Sequence, residues 1–180
     1  MNKKIRWITE TAVLLALLIV LQSVTKPLGQ LVTGSCVNAI LAIAVLFAGM
    51  GSGIAIALIS PVMAFLLGIA PQILTVPAIM VGNTVFVVLL KGIAGNCTNL
   101  GAKIAAWLVA ALAKFAALYF IVVKILCGVA APALLAAGTL KEPMLKALPA
   151  TFSYPQLITA LIGGAVALLI VPVLKKALHR

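Results

Sequence analysis

The sequence predicts an all-α membrane protein, a single domain over residues 1–180 built as a compact bundle of six transmembrane helices with both termini in the cytoplasm. The composition gives the class, because 65% of the 180 residues are hydrophobic, 8% are charged and the mean hydropathy is +1.33. A soluble core does not need that much apolar surface. The apolar residues also fall into runs of about 20, the length of a spanning helix, and the cations gather at the ends of these runs.

The first apolar run, residues 7–25, sets the direction of the chain. Three cations come directly before it: Lys3, Lys4 and Arg6. Flanking cations favour the cytoplasmic side, so we expect the chain to enter the membrane from inside. A basic patch before an apolar run also resembles a signal peptide, but this run is longer than a typical signal core and its removal would leave several spans. Within the run, Ala12 and Ala16 share one helical face, where small side chains let another helix approach closely.

Five more apolar runs follow, and Gly or Pro residues punctuate the chain between them. The runs cover residues 31–48, 54–69, 73–90, 104–126 and 157–174. We expect turns at residues 26–30 and 68–72 outside the membrane, and a Gly-rich turn at residues 49–53 inside. Pro61 predicts a kink in the third helix, and Pro172 is expected to end the sixth.

Two connections are longer than these turns. Residues 91–103 are expected to form the longest cytoplasmic loop, rich in Gly and Asn. Residues 128–154 are expected outside, where three prolines separate short apolar pieces. A loop of that length is commonly a functional lid or binding loop, and the alternative is a poorly ordered connector.

The distribution of cations supports this layout. Eight cations fall inside and four outside, with Lys114 in the interior of the fifth span. The outer four are Lys26, Lys124, Lys141 and Lys146. Because Lys and Arg are enriched on the cytoplasmic side of membrane proteins, the bias favours cytoplasmic termini. The formal charge of +11 would suit nucleic acid as a partner. The cations, however, lie at segment ends, which is typical of topology signals and lipid headgroup contacts.

Lys114 is the most informative residue of the sequence. It lies eleven residues after Lys103 and ten before Lys124, which is about 15 Å from either end of a helix. An ammonium group at the bilayer centre costs about 2.5 to 3.5 kcal/mol even on the lenient insertion scale, so it should face a cavity or a partner. We expect it to line a ligand cavity and to pair with an anionic or hydrogen-bond-accepting ligand group. The alternative is that Lys114 bonds backbone carbonyls and Asn83, or is neutral.

Several further residues are candidates for the same cavity. Asn83 falls near mid-membrane, and Ser35 and Asn38 lie one turn apart near the outer end of the second span. For each, hydrogen bonding between helices is the alternative to ligand contact. Phe152 and Tyr154 in the outer loop are candidates to close over an apolar ring.

The sequence also argues against several function classes. It has no GxxxxGK[ST] motif, so we expect no ATP hydrolysis by this chain alone. Its three cysteines form no CxxC and its one histidine is His179, so we expect no metal site and no cofactor. A stand-alone permease would want acids or His near the membrane centre, and a membrane enzyme would need a nucleophilic or acid–base cluster. We therefore predict that the chain is not an enzyme.

Several motifs together resemble one family. Beside six predicted spans in 180 residues, they are Ala12-x-x-x-Ala16, the Gly-rich turn at 49–53, Ser60-Pro61, Pro71-Gln72 and Gly82-Asn83. The chain is similar over nearly its whole length to the substrate-binding S components of energy-coupling-factor (ECF) vitamin transporters. The single motifs are common in membrane helices, and their combination with size and span count carries the resemblance.

The resemblance implies a function and partners. In that family the small-residue face of the first helix packs on a transmembrane coupling subunit, which here corresponds to Ala12 and Ala16. The substrate lies near the outer face under the first, third and fifth loops, so Gln72 in the third loop is a further candidate contact. The implied partners are a vitamin-like small molecule, the coupling subunit, two cytoplasmic ATPases and membrane lipid, in a bacterial plasma membrane. No motif fixes one vitamin.

Overall fold

The computed structural model describes residues 2–70, 72–95, 97 and 99–178 of the chain. The predictions that concern Pro71, His179 and Arg180 lie outside these residues. Within them the chain is helical and has no strand, so the predicted all-α class is confirmed. The helices are α1 Lys3–Thr25, α2 Gln30–Ile43, α3 Met50–Leu66, α4 Thr75–Ala94, α5 Leu100–Leu118, α6 Ala131–Ala136, α7 Glu142–Thr151 and α8 Tyr154–Ala177.

Three helices continue beyond these bounds in a different helical geometry. A short 3₁₀ turn at Lys26–Leu28 extends α1, and π-helical segments at Ala44–Ala48 and Tyr119–Val129 extend α2 and α5. By length and composition, five stretches can cross a membrane: Lys3–Leu28, Gln30–Ala48, Thr75–Ala94, Leu100–Val129 and Tyr154–Ala177. α3 is apolar but shorter, at 17 residues. The protein therefore has the helices of a membrane-embedded chain.

A glycine forms the turn between α2 with its π-helical extension and α3. The predicted turn at 49–53 is wrong in extent, because Gly49 alone has a positive φ, of 106°, and α3 begins at Met50. Gly53 lies inside the helix, where a Cβ atom would come within 2.8 Å of the Val45 side chain. A glycine run thus supplies one turn residue and one close contact between helices.

Three other boundaries differ from the sequence-based prediction. α4 continues to Ala94 and α5 begins at Leu100, so both ends of the expected long loop at 91–103 are helical. Pro172 does not end α8, which continues to Ala177. The segment at 128–154, which the sequence predicts to be a long outer loop, contains two short helices, α6 and α7.

Small residues set the packing of the bundle. α2 packs against α8, and α4 packs against α5. A Cβ atom on Gly163 of α8 would come within 2.6 Å of the Ala39 backbone of α2, and one on Gly82 of α4 within 2.7 Å of Leu118 of α5. Because lipid is as apolar as the helices, close van der Waals contact of this kind is what holds membrane helices together.

The bundle has two distinguishable ends. At one end α1 and α3 begin, where Thr11 and Ser52 share a hydrogen bond of 2.7 Å and Trp7 lies beside Gly51. At the other end Lys26 donates to the Gly68 carbonyl over 2.5 Å, and Gln72 donates to the Thr139 carbonyl over 2.9 Å. These two bonds tie the segments after α1, α3 and α6 together.

Candidate functional site

A cavity of about 370 Å³ lies at the end of the bundle where α1 and α3 finish. This volume is within the range of small-molecule sites, which is about 300 to 1,000 Å³. All the long helices and α7 contribute to its wall. Its apolar lining includes Val37, Pro61, Ile79, Met144, Leu148 and Phe152. The cavity is also lined by polar side chains, which carry amide, hydroxyl and ammonium groups.

Lys114 forms the centre of the polar wall, on the cavity side of α5. It is 2% exposed, and its Nζ donates to Asn38 Oδ1 over 2.5 Å and to Asn83 Oδ1 over 2.7 Å. The Phe86 ring lies below, with its centroid 5.6 Å from Nζ. The ring face and the two amide oxygens all present negative charge density to the ammonium. Neutral groups of the protein therefore supply two of the three acceptors that an ammonium can use.

Asn38 is fixed in place by bonds on its other side. Its Nδ2 donates to the Gly34 carbonyl over 2.9 Å and to Thr159 Oγ1 over 3.2 Å. Thr159 in turn donates to the Gln156 carbonyl over 3.1 Å. The network joins α5 to α2 and α8, so the position of Lys114 is defined by three helices.

Asn83 is held on one side alone. An ammonium can donate but cannot accept, so Asn83 must turn its oxygen toward Lys114 and its Nδ2 away. That Nδ2 is buried and has no hydrogen-bond partner. A buried amide donor without an acceptor costs about 1 to 3 kcal/mol, so this group is prepared for an acceptor that the chain itself does not supply.

Three other buried polar atoms also have no hydrogen-bond partner among the described residues. Among the residues that the structure describes, the buried side-chain nitrogen and oxygen atoms without a partner are Gln22 Oε1, Thr33 Oγ1, Ser60 Oγ and Asn83 Nδ2. All four side chains line the one cavity. Buried polar groups in native proteins are nearly always hydrogen-bonded, so their concentration at one cavity points to a polar occupant.

The charge of the cavity restricts that occupant. Lys114 is the one ionisable side chain among the described lining residues, and no acid lines the cavity. A cationic ligand would meet the ammonium without a compensating carboxylate, whereas a carbonyl, phosphate or carboxylate group can accept from it. The arrangement favours a neutral or anionic ligand with hydrogen-bonding groups around an apolar part.

Five of the seven residues predicted from the sequence to contact a ligand line this cavity. They are Lys114, Asn83, Asn38, Gln72 and Phe152. Gln72 is 9% exposed, and its bond to Thr139 places it where the segments at the cavity mouth meet. Phe152 is 6% exposed and follows the last residue of α7.

The structure does not bring the other two to the cavity. Ser35 does not line the cavity, although Asn38 does, and the Ser35 hydroxyl donates to the Leu31 carbonyl of its own helix over 2.7 Å. Tyr154 is 74% exposed, and its ring stacks on that of Phe115 with centroids 6.2 Å apart. Both residues are near the cavity in sequence but point away from it, because the residues that face it on α2 and α8 lie on a different side of each helix.

Several lining residues were not predicted. Gln22, Thr33, Ser60 and Gln156 all line the cavity and are buried. The sequence carried one usable signal for them: each is a polar side chain inside or at the edge of an apolar run, like Asn83. Such residues in a membrane helix need a partner, so several of them in one chain indicate a shared polar site.

The two small residues on α1 lie on the outside of the bundle. Ala12 and Ala16 are both exposed, and α1 is the least buried of the candidate spans. The small-residue face is therefore not a seam within this chain's own bundle.

Comparisons with protein-family models, with characterised proteins and with solved structures found no match to this chain.

Proposed function

We propose that this protein is the high-affinity binding subunit of a membrane uptake system, which takes up a vitamin or a related micronutrient and delivers it to an ATP-driven ECF coupling module. The observation that carries the proposal is the set of four buried, unpartnered polar atoms on one cavity wall. Such a wall is costly in an empty protein and becomes favourable when a ligand pairs with it. The resemblance of the sequence motifs to ECF S components supports the choice of transporter family.

The ligand should combine a polar edge with an apolar body. Lys114 and Asn83 can donate to it, Gln22 can accept, and the hydroxyls of Thr33 and Ser60 can do either. Pro61, Met144 and Phe152 present apolar surface to the remainder of the molecule. A small heterocyclic or carbonyl-bearing compound without positive charge fits these requirements.

The proposed arrangement in the membrane has six crossings. α3 packs against α1 and α4, which are both long enough to span, and its 17 residues measure about 25 Å. That is slightly less than the hydrocarbon thickness, a mismatch that a bilayer accommodates by local thinning. With α3 as the third crossing, both termini lie in the cytoplasm of a bacterial cell and the cavity opens to the outside, as the distribution of cations favours.

The proposed partners are a transmembrane coupling subunit and two cytoplasmic ATPases. The chain has no nucleotide loop of its own, so transport would draw its energy from elsewhere. Ala12 and Ala16 are exposed on a helix that the rest of the chain leaves largely uncovered. Small side chains on such a face permit close approach of a partner helix.

Native mass spectrometry of the protein purified from cells grown in rich medium tests the binding function. We expect a retained small molecule of defined mass that heat or denaturation releases. Isothermal titration of that compound into ligand-free protein should then show one binding site. If the protein retains nothing and none of a panel of vitamins binds, the proposal is wrong.

A matched pair of serine variants tests whether the unpartnered atoms serve a ligand. Ser60→Ala removes a hydroxyl that has no partner, so the melting temperature of the empty protein should stay the same or rise, while affinity for the ligand falls by about tenfold, or roughly 1.4 kcal/mol. Ser52→Ala removes a buried hydroxyl that is bonded to Thr11 and lies outside the cavity. It should lower the melting temperature and leave affinity unchanged. The opposite pattern would mean that Ser60 is structural.

Copurification separates the proposed function from that of a stand-alone permease. Under the proposal, the tagged protein isolated from its native membrane carries a second membrane subunit and two ATPases, and ligand uptake in cells requires ATP. Uptake in vesicles that contain this chain alone would favour the permease.

A further inference from the structure

A second cavity lies at the opposite end of the bundle from the first, and three lysines line it. Its volume is about 250 Å³. Lys91 comes from the last turn of α4, Lys103 from the first turn of α5, and Lys175 from the last turn of α8. The fold thus brings together three cations that are far apart in sequence.

The three ammonium groups have no anion among the residues that the structure describes. No acid lines the cavity, and none of the three forms a hydrogen bond or an ion pair within the described part of the chain. Because all three line one cavity, the fold brings like charges together, which repel one another. Lysines at a membrane surface satisfy the positive-inside rule wherever they point, so convergence on one cavity is not needed for topology and calls for another explanation.

Apart from Gly95 and Cys97, the other residues that line this cavity are apolar. They are Leu46, Ala94, Leu100, Leu168, Val171 and Pro172. A site with cations on one side and hydrocarbon on the other matches a molecule with an anionic head and an apolar body. Phosphate oxygens accept strong hydrogen bonds from ammonium groups, and basic pockets between membrane helices are suited to anionic lipid head groups.

We propose that Lys91, Lys103 and Lys175 form a site for a phosphate group, carried by an anionic phospholipid of the adjoining leaflet or by a free phosphate compound. This site is separate from the ligand cavity and does not depend on the proposed transport function. Its occupant would neutralise the repulsion among the lysines and hold the ends of α4, α5 and α8 together.

Lipid titration followed by native mass spectrometry tests the site. The detergent-solubilised protein is titrated with dioleoyl phosphatidylglycerol and, separately, with dioleoyl phosphatidylcholine, which has the same acyl chains without net charge. We expect the first phosphatidylglycerol to bind more tightly than phosphatidylcholine. In a Lys91→Gln, Lys103→Gln, Lys175→Gln variant this preference should fall by about 100-fold, because each lysine near an anionic lipid contributes about 1 kcal/mol.

A control variant separates the site from general surface charge. This control carries the substitutions Lys3→Gln, Lys4→Gln and Lys176→Gln. It removes the same number of charges from exposed positions at the same end of the bundle, and none of these lysines lines the cavity. It should retain the preference within about twofold. A variant with arginine at positions 91, 103 and 175 should retain it as well, because the site requires positive charge. Unchanged binding of phosphatidylcholine by the glutamine variant shows that its loss does not reflect misfolding. Equal loss in the two glutamine variants, or no lipid preference in the wild type together with no binding of inorganic phosphate, would overturn the proposal.

Competition with inorganic phosphate distinguishes the two sources of the phosphate group. If phosphate at millimolar concentration does not displace the first phosphatidylglycerol, the site is a lipid site. If phosphate displaces the lipid in the wild type but not from the residual sites of the glutamine variant, the site binds a free phosphate compound. Both results support a phosphate site at these lysines.

Discussion

At the scale of single residues, Lys114 is the central polar residue of the cavity. Its ammonium group donates hydrogen bonds to the side-chain oxygens of two neutral asparagines. Lys114→Met would leave two asparagine oxygens without a donor, at about 1 to 3 kcal/mol each, but would also remove the cost of burying an ammonium. We therefore expect the variant to fold and to bind its ligand at least about tenfold more weakly, a loss of roughly 1.4 kcal/mol. Calorimetric titration of the ligand identified by mass spectrometry measures this loss.

Lys124→Met is the matched control for Lys114→Met. Lys124 is exposed on the π-helical extension of α5, with its Nζ 5.8 Å from the Tyr119 ring centroid, and it does not line the cavity. The same chemical change there should leave affinity unchanged. Unchanged affinity in a folded Lys114→Met variant would instead reduce Lys114 to a structural link among α2, α4 and α5.

At the scale of helices, α7 closes one side of the cavity. Pro143, Met144, Ala147, Leu148 and Thr151 all contribute to the wall. Ala147→Trp should fill part of the cavity and abolish ligand binding, while the circular dichroism spectrum stays helical. Ala150→Trp places the same ring on an exposed position of α7 that does not line the cavity, and it should bind normally. Equal binding by both variants would show that α7 does not cover the ligand.

The outer face of α1 offers a second test at this scale. Ala16→Trp should block approach of a coupling subunit by steric overlap and abolish uptake, with ligand binding by the isolated protein intact. Leu17→Trp is the control, because Leu17 is exposed on the same helix but lies roughly 100° round from Ala16. Loss of ligand binding in Ala16→Trp would point to packing within the chain instead of docking.

At the scale of the whole molecule, the two ends of the bundle should face opposite sides of the membrane. In a background without Cys36, Cys97 and Cys127, which are all free thiols, single cysteines are introduced at Asn2 and Thr139. Thr139 lies at the cavity end and should react with an impermeant maleimide from outside. Asn2 should react after the membrane is opened. Equal reactivity of the two from outside would contradict the proposed topology.

The sequence by itself determined the class of the molecule and the centre of its polar wall. Composition and run length are properties of segments, so the all-α membrane class and the approximate positions of the long helices could be predicted without tertiary information. Lys114, Asn83 and Asn38 could be identified because a polar group deep in an apolar run must have a partner wherever the helix packs. The sequence indicates Asn83 as an alternative partner of Lys114, and Lys114 does donate to its Oδ1. The second partner, Asn38, could not be predicted, since it lies 76 positions from Lys114 in sequence.

The tertiary structure alone decided which side of each helix faces the cavity. Ser35 and Asn38 are close in sequence, yet the Ser35 hydroxyl bonds a carbonyl of its own helix, whereas the Asn38 side chain also bonds Lys114 and Thr159 on other helices. The difference follows from the rotation of α2, which packs closely against α8 at Gly163. The end of α8 shows the same limit, since Pro172 remains helical. The four unpartnered atoms, and the three lysines at the far end, come from different helices. Their convergence depends on how these helices pack, which the sequence of a single segment does not show.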